Sequence, residues 1–112
     1  MKVYNEFRHN WQLVRVEGKF VVKHLLEIRK LLEDTNSNPV SKKVAFDLSS
    51  TQYLDSSALQ LMLNLKKRLD ANGGEFAVCN PNEEIKEIFS IVGFDRIIAI
   101  YPSIDSLFKM RL

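Results

Sequence analysis

The stretch YLDSSALQLMLNLKKRL, residues 53–69, joins the end of an apolar strand to an amphipathic helix through three polar residues. On a helix that begins near Ser57, residues three or four apart fall on the same side. The apolar residues at this spacing form one face: Ala58, Leu61, Met62, Leu65 and Leu69. The polar residues form the opposite face: Ser56, Ser57, Gln60, Asn64 and Lys67. The spacing predicts a helix that packs its leucines into a core and presents both serine hydroxyls to solvent.

The corner Asp55-Ser56-Ser57 has more polar groups than a helix start requires. Either Asp55 or Ser56 suffices as the N-cap, whose side-chain oxygen accepts a first-turn N–H and stabilises the helix by about 1 kcal/mol. A helix N-terminus also carries unpaired N–H groups and a positive dipole, which favour a phosphate group. In parallel α/β sheets, sites tend to lie at this end of the strands. The residues alone leave two interpretations open, a simple cap or a functional site.

Strands and helices alternate on both sides of this corner. The predicted strands, rich in β-branched and aromatic residues, cover 2–8, 11–18, 44–48, 75–80 and 96–101. The predicted helices run from Val21 to about Asp34, from Ser57 to Leu69, from Pro81 to Gly93 and from Ser103 to Phe108. The order β-β-α-β-α-β-α-β-α predicts an α/β fold with a mixed, mostly parallel β-sheet, an N-terminal β-hairpin and about four helices.

The first helix is predicted from the spacing of its apolar residues. The core stripe recurs at intervals of four, three and four residues: Val21, Leu25, Ile28 and Leu32. Three further residues are expected to widen this stripe: Val22, Leu26 and Leu31. All seven are therefore predicted to face the core.

Length and composition limit the classes of protein to which the chain can belong. Its 112 residues suit a single domain covering 1–112. The net charge of +2, with both signs interleaved, gives no reason to expect nucleic acid or a membrane surface as a partner. The start of the sequence has no apolar targeting segment and no apolar run is long enough for a bilayer, so a cytoplasmic protein is predicted. Cys79 is the only cysteine and is predicted to be a small buried hydrophobe.

Enzymatic interpretations find little support in the residues. A hydrolase using Asp47, Asp55 and Ser56 needs a base for the serine, but the two histidines lie in the predicted hairpin and first helix. No nucleophile-elbow, phosphate-loop or metal-ligand spacing is present. A receiver domain phosphorylated on Asp47 needs an acidic pair after its first strand, where this chain offers only Glu6. The sequence therefore predicts a protein without enzymatic activity, cofactor or metal.

Several landmarks between residues 44 and 108 together resemble the STAS domain, the family of anti-sigma factor antagonists. These landmarks are the strand with Asp47, the Asp55-Ser56-Ser57 corner, the leucine-rich helix, Gly73-Gly74 before a strand, Pro81 and Glu84 at a helix start, and Val92-Gly93-Phe94. The first 40 residues resemble the family only in their order of elements and in Gly18. The combination of landmarks is specific, whereas an isolated Asp-Ser-Ser is not.

The resemblance implies a phosphorylation switch at the corner. In the family, the serine that follows the aspartate is phosphorylated by the partner, an anti-sigma factor that is also a serine kinase, and here it corresponds to Ser56. The unphosphorylated form binds the kinase and frees a sigma factor, and a protein phosphatase restores it. Asp55, Ser57, Ala58, Gln60 and Asp47 are expected to be partner-binding or motif residues. The alternative within the same fold is a STAS scaffold subunit of a signalling or transport complex that does not switch.

The chain departs from the family pattern at two places. Ala58 stands where the family commonly has glycine, so its methyl group is expected to affect how closely a partner approaches. After Gly18, antagonists often carry acidic residues that face the kinase, whereas this chain has Lys19, Phe20 and Lys23. These departures leave the identity of the partner open.

Overall fold

The structure is a computed structural model that describes residues 2–33 and 39–110. Its strands are β1 (Lys2–Arg8), β2 (Trp11–Phe20), β3 (Lys43–Asp47), β4 (Thr51–Leu54), β5 (Glu75–Cys79) and β6 (Ala99–Tyr101). Its α-helices are α1 (Leu25–Leu32), α2 (Ser56–Ala71), α3 (Glu83–Val92) and α4 (Ile104–Met110). Two 3-10 turns, Val22–His24 and Phe94–Arg96, precede α1 and β6. The predicted end of the first helix near Asp34 lies outside the described residues.

The strands form one mixed sheet in the order β1-β2-β3-β5-β6, with β4 pairing to the far end of β2. The hairpin of β1 and β2 is antiparallel, and the other four pairings are parallel. Helices connect the parallel strands because such connections must cross back over the sheet. The predicted fold class, a mostly parallel sheet with an N-terminal hairpin and four helices, is confirmed.

Strand β4 is absent from the predicted order of elements, although residues 53–54 are predicted to end an apolar strand. The predicted second strand ends at Gly18, but β2 continues to Phe20 and changes its register between Gly18 and Lys19, where it pairs with β4. Gly18 has a φ of 93°, which favours glycine and allows this irregularity inside the strand. β2 therefore pairs with β3 along its first half and with β4 along its second.

The predicted strand at 96–101 was too long at its start. Its first residue belongs to the 3-10 turn Phe94–Arg96, and pairing with β5 begins only at Ala99. The buried side chain of Ile98, which made the segment resemble a strand, packs into the core without joining the sheet. An apolar run of this length does not distinguish a packed turn from a strand.

The sheet has a core on each face. On one face, helices α1, α2 and α3 pack against Phe46, whose ring contacts those of Phe20 and Phe76 at centroid distances of 5.7 and 5.6 Å. The other face carries a smaller core beneath α4, made by Trp11, Leu13, Ala45, Ala77, Cys79 and Leu107. All five apolar residues predicted for the inner face of α2 are buried. The polar face of α2 therefore points outward, beginning at the Asp55 corner.

Candidate functional site

Asp55 connects three parts of the chain at the corner before α2. One carboxylate oxygen, Oδ1, accepts a hydrogen bond from the Ala58 N–H at 3.1 Å and caps the helix. The other oxygen, Oδ2, accepts one from the Val22 N–H at 3.2 Å, at the turn that precedes α1. The Asp55 N–H donates to the Phe20 carbonyl at 3.3 Å, at the end of β2. Of the two possible caps, the structure selects Asp55 and ties the corner to the segment before α1.

Ser56 is the first residue of α2, and its side chain is exposed. Because Asp55 serves as the cap, the Ser56 hydroxyl is not needed to start the helix. Ser57 is partly buried and follows it in the first turn. Further along the same face, the exposed Gln60 donates a hydrogen bond to the Asn64 side chain at 3.0 Å. The structure therefore presents one hydroxyl freely, at the positive end of a helix of 16 residues.

Ala58 lies in the same motif but on the inner side of the helix. Its side chain is fully buried in the larger core. The expectation that its methyl group limits a partner's approach is therefore wrong, because the methyl group does not reach the surface. Its backbone N–H, which Asp55 caps, is the part of Ala58 that shapes the corner.

Apolar side chains surround the corner at the surface. Val22, whose N–H is held by Asp55, is 62% exposed, and Tyr53, two residues before Asp55, is 50% exposed. Leu26, in the first turn of α1, is 67% exposed. The prediction that Val22 and Leu26 lie in the buried stripe of the first helix is wrong. Val22 belongs to the 3-10 turn before α1, and Leu26 is two residues from the buried Ile28, roughly 200° away around the helix. We call the set of Tyr53, Asp55, Ser56 and Val22 the corner surface; exposed aromatic and aliphatic groups beside a polar residue are typical of protein-binding surfaces.

Comparison with known protein families shows to which family this chain belongs. The sequence profile of the STAS domain matches residues 3–107. The chain belongs to the STAS domain family. A Thermotoga maritima protein provisionally named an anti-sigma factor antagonist is 33% identical over 77 residues, which cover 69% of this chain and 68% of that protein. The anti-sigma F factor antagonist of Paenibacillus polymyxa is 24% identical over 103 residues, covering 92% of this chain and 88% of that protein.

Solved STAS structures share the fold at low sequence identity. The anti-sigma factor antagonist SpoIIAA in its unphosphorylated form has a TM-score of 0.73 at 15% identity, covering 98% of this chain and 96% of that chain. The phosphorylated form of the Bacillus cell fate determinant SpoIIAA has a TM-score of 0.74 at 15% identity, covering 97% and 99%. The backbone of this chain is thus equally similar to both forms of SpoIIAA.

Asp47, another acidic residue of the STAS landmarks, lies away from the corner surface. It ends β3 on the side of the sheet that α4 covers, since it alternates with Phe46 of the larger core. It is buried, and its Oδ1 accepts a hydrogen bond from the Ser49 N–H at 3.0 Å. The structure brings Asp55, Ser56 and Ser57 together but does not bring Asp47 to them. Asp47 instead fixes the turn between β3 and β4, the strand that leads into the corner.

Cys79 of this STAS domain is fully buried in the smaller core, as predicted. Burial raises the pKa of its thiol from 9.0 to about 12, and the negative charge of Asp47 adds to the increase. The thiolate is the reactive form of cysteine, so the folded protein holds this residue in its unreactive form. Cys79 therefore contributes packing and no nucleophile.

We expect Cys79 to resist thiol reagents in the folded protein at neutral pH and to react quickly in denaturant. Because its pKa is higher in the folded state, its contribution to the free energy of unfolding is complete below pH 9.0 and is lost as the pH rises toward about 12. Labelling with a chromogenic disulfide tests the first point, and urea unfolding across this pH range tests the second, with Cys79→Ala as the control. Rapid labelling of the native protein would contradict this account of the site.

Two further features are absent from the described part of the chain. No helix in residues 2–33 and 39–110 combines the length and the apolar character needed to cross a bilayer. Within the same ranges, no three His, Cys, Asp or Glu side chains are grouped so as to hold a metal ion.

Proposed function

We propose that this chain is an anti-sigma factor antagonist whose binding is switched at Ser56. The unphosphorylated protein binds an anti-sigma factor that is also a serine kinase, and this binding frees a sigma factor. The kinase phosphorylates Ser56 and the complex dissociates. A protein phosphatase then restores the binding form. In this proposal the chain acts in the cytoplasm as a single STAS domain, without an enzymatic activity or a cofactor of its own.

The observation that carries the proposal is the exposed Ser56 hydroxyl at a helix start that Asp55 already caps. A kinase needs a hydroxyl that it can reach without unfolding its substrate, and Ser56 meets this condition. The names of the related proteins from Thermotoga maritima and Paenibacillus polymyxa support the antagonist role. The likeness to SpoIIAA, whose structure is known with and without phosphate, supports the switch.

The corner surface suits a partner that binds only when Ser56 is unphosphorylated. Tyr53, two residues before Asp55, and Val22, whose N–H donates to Asp55, provide exposed apolar area at the corner surface. A partner that covers them must also cover Ser56 and exclude water from it. Adding a phosphate at the centre of such a contact places an unpaired charge where a neutral group fitted, which disfavours the complex.

Ser56 is expected to be the phosphoacceptor, because Ser57 is partly buried within the first turn. The purified anti-sigma factor serine kinases of the source organism are incubated one by one with the protein and ATP, and the modified peptide is mapped by mass spectrometry. Ser56→Ala should abolish labelling, and the matched control Ser57→Ala should retain it. Phosphate on Ser57, or labelling that persists in Ser56→Ala, would place the switch elsewhere. Binding without any labelling would favour the scaffold role instead.

A further inference from the structure

A groove between α1 and α2 lies further along the helix face that begins at Ser56. Four polar residues of α2 follow one another on this face: Ser56, Gln60, Asn64 and Lys67. Their positions fall within about 80° of one another around the helix, and Ser56 and Lys67 are about 16 Å apart along its axis. Asn64 and Lys67 also line the groove, which has a volume of about 480 Å³. A partner seated over Ser56 can therefore extend into the groove without leaving this face.

The charges that line the groove leave it with a positive surface. Among residues 2–33 and 39–110, Glu33 is the one acidic residue that lines it, and it forms an ion pair of 2.6 Å with Arg68. Arg29 and Lys67 line the same groove, and both are exposed. In residues 2–33 and 39–110, neither of these two cations forms an ion pair. The groove therefore presents two cations whose charge is not offset by its own acidic residue.

Other charged residues on α1 and on the turn before it also affect the electrostatic potential near the groove. Glu27 precedes Arg29 by two residues, which places it roughly 200° away around the helix. Lys30 and Lys23 are exposed on α1 and on the turn before it. A surface of this sign attracts acidic groups and repels basic ones, so it selects a partner by charge.

We propose that the groove between α1 and α2 binds an acidic segment of the same partner that recognises Ser56. This inference rests on the proposed function and identifies the chemistry of its partner: the anti-sigma factor carries Asp or Glu side chains about 16 Å from the point that contacts Ser56. Arg29 and Lys67 contact these carboxylates, and Leu61 and Asn64 complete the lining. The contact sets partner choice, because an anti-sigma factor with basic residues there is repelled.

The test uses the full chain and a purified anti-sigma factor that binds it. The double variant Arg29→Glu/Lys67→Glu reverses the groove, and Arg29→Gln/Lys67→Gln only neutralises it. The matched control Arg96→Glu/Lys109→Glu makes the same change of charge at exposed residues of the turn before β6 and of α4. Circular dichroism melts establish that each variant is folded.

We expect the reversed groove to raise Kd at least about tenfold, the neutral groove to raise it less, and the control to change it by about twofold or less. The difference between wild type and the reversed variant should shrink at high salt. Changing the contacting acidic residues of the partner to lysine should restore binding to the reversed variant.

Three results would overturn the inference. If Ser56→Asp weakens binding while the reversed groove binds like its control, the groove proposal fails and the proposed function stands. If the reversed groove changes the oligomeric state of the free chain, its occupant is a second copy of this protein. If no anti-sigma factor of the source organism binds the unphosphorylated chain, the proposed function fails and the groove proposal fails with it.

Discussion

Replacing Ser56 with aspartate is expected to weaken binding to the anti-sigma factor more than about a hundredfold while leaving the fold intact. The new carboxylate belongs to the exposed corner surface, together with the apolar groups of Tyr53 and Val22, and a partner bound there excludes water from it. A buried charge without a partner costs several kcal/mol, and a penalty of about 3 kcal/mol already corresponds to more than a hundredfold in Kd. Phosphoserine carries about −1.5 to −2 charges at neutral pH, so the native modification should act at least as strongly.

The added charge should have little net effect on the stability of the protein itself. The dipole of α2 favours an anion at its first residue by roughly 0.3–1 kcal/mol. The neighbouring Asp55 carboxylate opposes it by like-charge repulsion. These contributions nearly cancel, so Ser56→Asp should melt within a few degrees of the unmodified chain.

Calorimetric titration with the anti-sigma factor measures the first effect, and thermal melts followed by circular dichroism measure the second. Ser56→Ala provides the control, because it removes the hydroxyl without adding charge and should bind constitutively. If Ser56→Asp lost its helical signal or its cooperative melt, the switch would be an unfolding event, and the account of a surface switch would be wrong.

Asp55→Ala is expected to lower the free energy of unfolding by about 2–3 kcal/mol. Loss of an N-cap typically costs about 1 kcal/mol, and loss of a hydrogen bond to a charged group costs about 1.5–3 kcal/mol when it is well shielded. The bond to the Val22 N–H is exposed, so its share lies at the lower end of that range. For a chain of this size the melting temperature should fall by about 10 °C. Partner binding should weaken as well, because the corner surface depends on the position of Val22.

Asp55→Asn separates the two roles of Asp55. An asparagine side chain has one oxygen, which can accept from Ala58 and preserve the cap, but it has no second oxygen for the Val22 N–H. The free energy of unfolding should fall about half as much in Asp55→Asn as in Asp55→Ala. Urea unfolding of both variants measures this ratio. If Asp55→Asn were as stable as the wild type, the tie to the segment before α1 would contribute nothing, and the role that we assign to Val22 would be wrong.

The sequence predicted the apolar face of α2 and the exposure of Ser56 correctly because the apolar spacing is repeated over four turns, whereas Ser57, predicted to face solvent, is partly buried. The five predicted core residues of this helix are all buried, and Ser56 lies outside. In a long amphipathic helix, the spacing of the apolar residues indicates which face packs against the core. The location of the candidate site was therefore available from the sequence, although the assignment of the cap to Asp55 was not. Asp55 and Ser56 have nearly equal preference for that position, and only tertiary contacts distinguish them.

The elements that were missed depend on contacts distant in sequence. β4 has four residues, of which only Thr51 and Leu54 are buried, and it exists because β2 continues beyond Gly18 to pair with it. Local preference treats glycine as the end of a strand, whereas here it allows a change of register inside one. Val22 is exposed because the helix begins four residues later than predicted, which leaves Val22 in the preceding 3-10 turn. Leu26 is exposed because it lies roughly 200° around α1 from the buried Ile28. The apolar part of the corner surface was therefore found only in the structure.

The central claim is that phosphate on Ser56 alone controls binding. The most direct measurement follows the complex of this chain with its anti-sigma factor serine kinase after ATP is added, recording phosphate at Ser56 by mass spectrometry and the bound fraction in the same samples. The account predicts that dissociation follows phosphorylation of Ser56 in proportion, and that Ser56→Ala stays bound throughout. Complexes that remain intact with Ser56 fully phosphorylated, or that dissociate while Ser56 is unmodified, would contradict it.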